Sequence, residues 1–96
     1  TATLYDNLSL YRAAAISYGL LSDNYPDSKK SDQYKLLTVK AYYKFAMNSF
    51  EDKQKERFDK VTTEYNDFVD RFSDSPLLPE AKKIKQQTDN FLNNKK

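Results

Sequence analysis

Tyr11, Ala14, Tyr18, Leu21 and Tyr25 are followed by Asp27-Ser28 and then by Tyr34, Leu37, Ala41 and Phe45. The same pattern returns 47 residues later as Phe58, Val61, Tyr65, Phe68 and Phe72, then Asp74-Ser75, then Ala81, Ile84, Thr88 and Leu92. Steps of three and four place such residues on one face of a helix. Each copy therefore reads as a helix, an Asp-Ser turn and a second helix. A helical hairpin with apolar faces buries them only by stacking on a neighbour. The repeat predicts an all-α fold, an α-α superhelix of four antiparallel helices paired into two hairpins.

The boundaries follow from local signals. One domain is expected over residues 1–96, with repeat one over about residues 3–48 and repeat two over about residues 50–93. Helix one is predicted from Leu4 to Asn24, with Thr3 as its N-cap and Asp6 three residues on. Its inward stripe is read as Leu4, Leu8, Tyr11, Ala15, Tyr18, Leu21 and Tyr25. Tyr25-Pro26 ends it, because the residue before Pro is pushed out of the α region. Gly19 lies mid-helix and is read as a point of close approach to a neighbour. Pro26, Asp27 and Ser28 form the first turn, with Ser31 as a further cap residue.

Helix two is predicted from Asp32 to Asn48 with two apolar stripes, one through Tyr34, Leu37, Ala41 and Phe45, the other through Leu36, Val39, Tyr43, Met47 and Phe50. A helix apolar on two sides has neighbours on two sides. Ser49 is read as the N-cap of helix three, which reaches Phe72. Since neither Gly nor Pro separates helices two and three, they are expected to be nearly continuous. Asp74, Ser75 and Pro76 form the second turn, with Ser75 capping and Pro76 at the first helical position. Helix four is predicted from Leu78 to Asn93.

Composition narrows the chemistry. The 96 residues carry a net charge of +2 from 16 basic and 14 acidic residues, with the signs interspersed. That pattern describes a solvated helical surface and argues against nucleic-acid binding, which needs a basic face. There is no Cys and no His, which removes thiol chemistry, zinc sites of the Cys/His type and histidine acid-base catalysis. Glu51 and Asp52 read as acids favoured by the dipole at a helix N-terminus. Ser49 and Ser75 read as caps, with no base to activate them. No catalytic residue, metal or cofactor is expected. The chain starts at Thr1 rather than Met, so a piece of a longer protein is expected.

The turns carry a family resemblance. Tyr25-Pro26-Asp27-Ser28 follows an aromatic-rich helix, and Phe72-Ser73-Asp74-Ser75 takes the equivalent place in the second copy. The first resembles the Tyr/Phe-Pro-x-Ser turn of the tetratricopeptide-like outer-membrane assembly lipoproteins, the BamD or YfiO family. Residues 11–16, Tyr-Arg-Ala-Ala-Ala-Ile, are similar to that family's Tyr-x-Ala-Ala-Ile opening. Residues 41–46 are similar to its x-Tyr-x-x-Ala stretch, and Lys55-Glu56-Arg57-Phe58 resembles its Lys-x-Arg-Tyr segment. The resemblance spans about residues 11–84. The 47-residue period is longer than the usual 34 of a tetratricopeptide repeat, and the second turn lacks the Pro.

The resemblance implies two tetratricopeptide-like hairpins from the C-terminal part of such a lipoprotein. It implies the periplasmic face of a Gram-negative outer membrane, attachment through a lipid anchor outside these residues, and a non-enzymatic role in inserting β-barrel proteins. It also implies a partner, the POTRA region of the barrel insertase BamA. Candidate partner-binding residues come from the residues themselves. Tyr5 and Tyr42 fall off the inward stripes, and exposed aromatics favour interfaces. Lys82, Lys83 and Lys85 form a basic patch suited to an acidic partner. Two alternatives stay open. One is a generic tetratricopeptide adaptor holding a peptide in its concave groove, for which Arg12 and Asn66 are the hints. The other is a helical accessory domain of an enzyme.

Overall fold

Four helices carry the chain in the computed structural model, which describes residues 2–25 and 29–94, with side chains except at residues 2–7 and 94. They are α1 (Ala2–Asn24), α2 (Ser31–Met47), α3 (Glu51–Arg71) and α4 (Leu78–Asn94), and no strand occurs among the described residues. Consecutive helices pack antiparallel. Near the first turn Ser22 meets Ser31, and farther along the pair Gly19 meets Thr38. Between α2 and α3, Lys35 meets Asp67, Tyr42 meets Lys60, and Phe45 meets Arg57. Phe58 of α3 stacks on Phe91 of α4 with ring centroids 4.6 Å apart. The repeat thus folds as two hairpins, α1–α2 and α3–α4, with α2 touching all three other helices. The two apolar stripes of α2 predicted this role.

The core lies between α2, α3 and α4. Leu36, Val39, Ala46, Phe58, Val61, Phe68, Ala81 and Ile84 are buried together, with Tyr43, Tyr65, Phe72, Phe91 and Leu92 packed on them. Full burial of one such side chain is worth about 1.5–3 kcal/mol, so Phe58 and Phe68 anchor the hairpin pair. Met47 and Phe50, read as part of an inward stripe, are exposed instead, because α2 ends between Phe45 and Ser49 and the chain swings out at the corner.

α1 departs further from its predicted stripe. It buries Leu8, Ala15 and Ser22 against α2, while Tyr11 and Tyr18 are half-buried. Leu21 and Tyr25 point to solvent, with Tyr25 60% exposed. The reason is that α1 is apolar on more than one side, so spacing alone does not select the buried face. Ser22 selects it: the Ser22 and Ser31 hydroxyls each donate to the other's backbone carbonyl at 3.3 Å. That exchange satisfies two polar groups in a fully buried contact. Gly19 faces Thr38, yet a Cβ there would lie 3.8 Å from Thr38 Cγ2, an ordinary contact, so close approach does not require the glycine.

The ends of the helices follow different chemistry from that expected at four places. Thr3 lies inside α1, not at its cap. Ser31 opens α2 from within, and its hydroxyl is turned to Ser22. α2 and α3 are separate helices. Asn48 Nδ2 donates to the Lys44 carbonyl at 2.8 Å, and the Ser49 hydroxyl donates to the Phe45 carbonyl. The Ser49 bond satisfies a carbonyl that the ended helix leaves open, while the Asn48 side chain adds a second donor to the Lys44 carbonyl, which also accepts the Asn48 backbone N–H. Ser49 is therefore a stop for α2, and the extended residue before α3 is Phe50, at φ −61°, ψ 149°. The Ser75 hydroxyl oxygen accepts the Leu77 N–H at 3.1 Å, but Pro76 lies in the turn ahead of α4 rather than at its first helical position. Pro26, Asp27 and Ser28 lie outside the described residues.

Candidate binding groove

α2 forms the floor of a groove between α1 and α3. Three cavities run along it and share lining residues. The first, of about 380 Å³, is bounded by Leu8, Arg12, Ile16, Phe45, Phe50 and Arg57. The second, of about 640 Å³, shares Arg12, Phe45 and Arg57 with it and adds Tyr42, Lys53 and Lys60. The third, of about 210 Å³, continues past Ile16, Tyr42 and Lys60 to Gly19, Thr38 and Asp23. Helical spacing explains the walls: Leu8, Arg12, Ile16 and Leu20 recur every four residues along α1.

The charges are not spread evenly. Among the described residues, the first cavity is lined by apolar side chains, Ser9 and two guanidinium groups, with no carboxylate. Arg57 is held in place: Nη1 donates to the Ser49 hydroxyl at 2.6 Å, and its Cζ lies 4.3 Å from the Phe45 ring centroid. Arg12 is exposed on the opposite wall and forms no ion pair with the described residues. Lys60 lies 5.3 Å from the Tyr42 ring centroid and 3.3 Å from a Glu64 carboxylate oxygen. Glu56 and Asp59 line the outer side of the second cavity. An apolar slot rimmed by two arginines suits an apolar side chain next to a carboxylate.

An ion-pair network closes the far end of the groove. Lys35, with its side chain 5% exposed, lies 2.9 Å from Glu64 and 2.6 Å from Asp67. Arg71 continues the chain to Asp67 at 3.7 Å and Asp23 at 3.0 Å, and donates to the Ser22 carbonyl at 3.2 Å. Three helices are tied by these contacts. Burial alone would depress the Lys35 ammonium, but hydrogen bonds and charge from Asp67 and Glu64 outweigh it and hold its pKa above the usual 10.5. Burial would likewise raise Asp67, and Lys35 followed by Arg71 outweighs it, holding the carboxyl below 3.8.

The residues singled out from the sequence fall in three places. Tyr42 is half-buried on the groove floor. Lys82 and Lys83 are exposed on α4, away from the groove, whereas Lys85 is half-buried and bound to Asp89 one turn on, which leaves Lys82 and Lys83 as the patch among the described residues. The side chain of Tyr5 lies outside the described residues. Of the two groove hints, Arg12 lines the groove and Asn66 does not. Sequence reasoning missed Arg57 and Lys60 as groove residues, since the interspersed charges of the chain read as a solvated helical surface. Their one signal was alignment with the aromatics Phe45 and Tyr42 across an antiparallel pair.

Among the described residues, no group of three or more His, Cys, Asp or Glu side chains could hold a metal ion, and no helix is long and apolar enough to cross a membrane. No protein-family model matches the chain, and neither does any curated protein.

Proposed function

We propose that this chain is a non-enzymatic scaffold that docks a protein partner, and that the α1–α3 groove is its contact surface. The observation that carries the reading is the slot formed by Leu8, Ile16, Phe45 and Phe50, in which Arg12 and Arg57 are the charged lining residues among those described. Arg57 is preorganised by Ser49 and Phe45, so little side-chain entropy is lost when a carboxylate arrives. The resemblance to the outer-membrane assembly lipoproteins names a partner, the periplasmic POTRA region of the barrel insertase. It puts the protein at the periplasmic face of the outer membrane, in support of β-barrel insertion.

A second reading is favoured by the same two arginines. A generic adaptor would take an acidic, apolar peptide segment along the groove rather than a folded domain. Calorimetry separates the two. The chain is titrated with the POTRA region of the insertase from its own organism, and separately with an unstructured peptide carrying one aromatic residue beside two acids. Two variants accompany it, Arg12→Glu/Arg57→Glu in the groove and Lys82→Glu/Lys83→Glu/Lys85→Glu on α4. Saturable POTRA binding that the groove variant loses supports the scaffold. Loss in the α4 variant moves the contact to the lysine patch. Binding of the peptide alone gives the adaptor.

A further inference from the structure

α1 carries a second surface that the groove does not use. Of the large hydrophobic side chains that are exposed among the described residues, five lie on this helix and its end: Leu10, Ile16, Leu20, Leu21 and Tyr25. Ile16 and Leu20 line the groove. Leu10, which is 66% exposed, and Leu21, which is 36% exposed, lie on the outer side with Ala14 and Ser17 between them. At about 100° per residue these four fall within about 60° of one another, roughly 150° from the groove side of the helix. The internal repeat indicates what such a surface receives. Leu10, Ala14, Ser17 and Leu21 are equivalent, 47 positions on, to Arg57, Val61, Glu64 and Phe68, which face α2. The outer face of α1 is thus a helix-packing face with no helix on it.

We propose that this face pairs with its own copy in a second chain, through an antiparallel α1–α1′ contact. The spacing is a palindrome: Leu10, Ala14, Ser17 and Leu21 are separated by four, three and four residues. Reversing one helix sets Leu10 against Leu21′ and Ala14 against Ser17′ around a two-fold axis between Ala15 and Ile16. A two-fold interface must be self-complementary, and like charges facing each other would oppose it. Between Leu8 and Asn24 the only charged residues are Arg12 and Asp23, both on the groove side. The small central residues let the helices approach, and the leucines close each end. Head-to-tail stacking is disfavoured, since the exposed residues of α4 after Glu80 are Lys82, Lys83, Gln86, Gln87, Asn90 and Asn93. A contact along a helix of this length removes on the order of 500 Å² per copy, about 1,000 Å² in total, the lower limit for a specific interface. The dimer is therefore weak, with a Kd on the order of 100 µM.

Sedimentation equilibrium of the 96-residue chain from about 10 µM to about 1 mM tests this, spanning that Kd on both sides. A monomer–dimer equilibrium is expected, with Leu10→Glu and Leu21→Glu each raising Kd at least about tenfold and Lys83→Glu leaving it unchanged. Far-UV circular dichroism confirms that the variants stay helical. The chain has no cysteine, so Ala14→Cys and Ser17→Cys give single thiols. On mild oxidation a mixture of the two is expected to form the mixed disulfide in preference to either homodimer. A monomer throughout the range overturns the proposal and leaves the face to a helix of different sequence. A dimer indifferent to Leu10→Glu, or cross-linking that favours Ala14→Cys with itself, overturns the arrangement.

Discussion

Replacing Gly19 by alanine tests the packing of α1 on α2 at its most exposed assumption. Gly19 lies mid-helix and its φ is not in the left-handed region, so alanine adopts the same backbone without strain. The added methyl meets Thr38 Cγ2 at 3.8 Å and Thr38 Oγ1 at 3.9 Å, inside ordinary contact range, and nothing has to move. The gain is then the helix-propensity difference of about 1 kcal/mol, much of it from a less disordered unfolded chain. In a domain of this size about 1 kcal/mol raises the melting temperature by about 4–8 °C. Urea unfolding followed by far-UV circular dichroism should show a higher midpoint at an unchanged slope. A lower midpoint would refute the separation of α1 and α2 at this level. An unchanged midpoint would refute the coupling of α1 to cooperative unfolding.

Three further outcomes follow from named contacts. Phe58→Ala removes a fully buried ring that packs on Tyr43 and Phe91, and is expected to cost about 3–5 kcal/mol, read as a fall in the urea midpoint. Lys35→Met is expected to cost about 1–2 kcal/mol, less than the usual penalty for orphaning a buried charge, because Lys60 still neutralises Glu64 and Arg71 still neutralises Asp67. The pH profile of stability should be bounded on both sides. Asp67 has a lowered folded pKa, so its contribution is intact above its ordinary value and is lost as the pH falls through the lowered one. Lys35 has a raised folded pKa, so its contribution is intact below the ordinary lysine value and is lost as the pH climbs through the raised one. Lys35→Met should flatten the alkaline limb and weaken the acid limb; equal limbs in both proteins would contradict the ion-pair assignment.

Sequence legibility varied with the kind of interaction. The 47-residue offset located both hairpins, because the inward positions of α3 and α4 are aromatic or aliphatic and their outer faces are polar. Phe58, Val61, Phe68, Ala81, Ile84 and Thr88 are buried as their spacing predicted. α1 was less legible, since leucines and tyrosines surround it and the deciding contact is between two serines. Lys35 was illegible as a buried residue, because its partners Glu64 and Asp67 sit on another helix. The groove was visible only through Arg12 and Tyr42. Arg57 gains its meaning from Ser49 and Phe45, a juxtaposition that the turn between α2 and α3 creates and the sequence does not spell out.

That turn has a consequence for topology. The chain reverses between α2 and α3 with neither Gly nor Pro and with no residue at positive φ among the described residues. The reversal depends on polar side chains, Asn48 and Ser49 folding back on carbonyls and Arg57 gripping Ser49. Take those away, and the residues from Ser31 to Arg71 are free to run on as one unbroken rod. The second hairpin of one molecule would then be able to pack on the first hairpin of another, and a double Asn48→Ala/Ser49→Ala chain is expected to form such an exchanged dimer, read as a doubled mass in sedimentation.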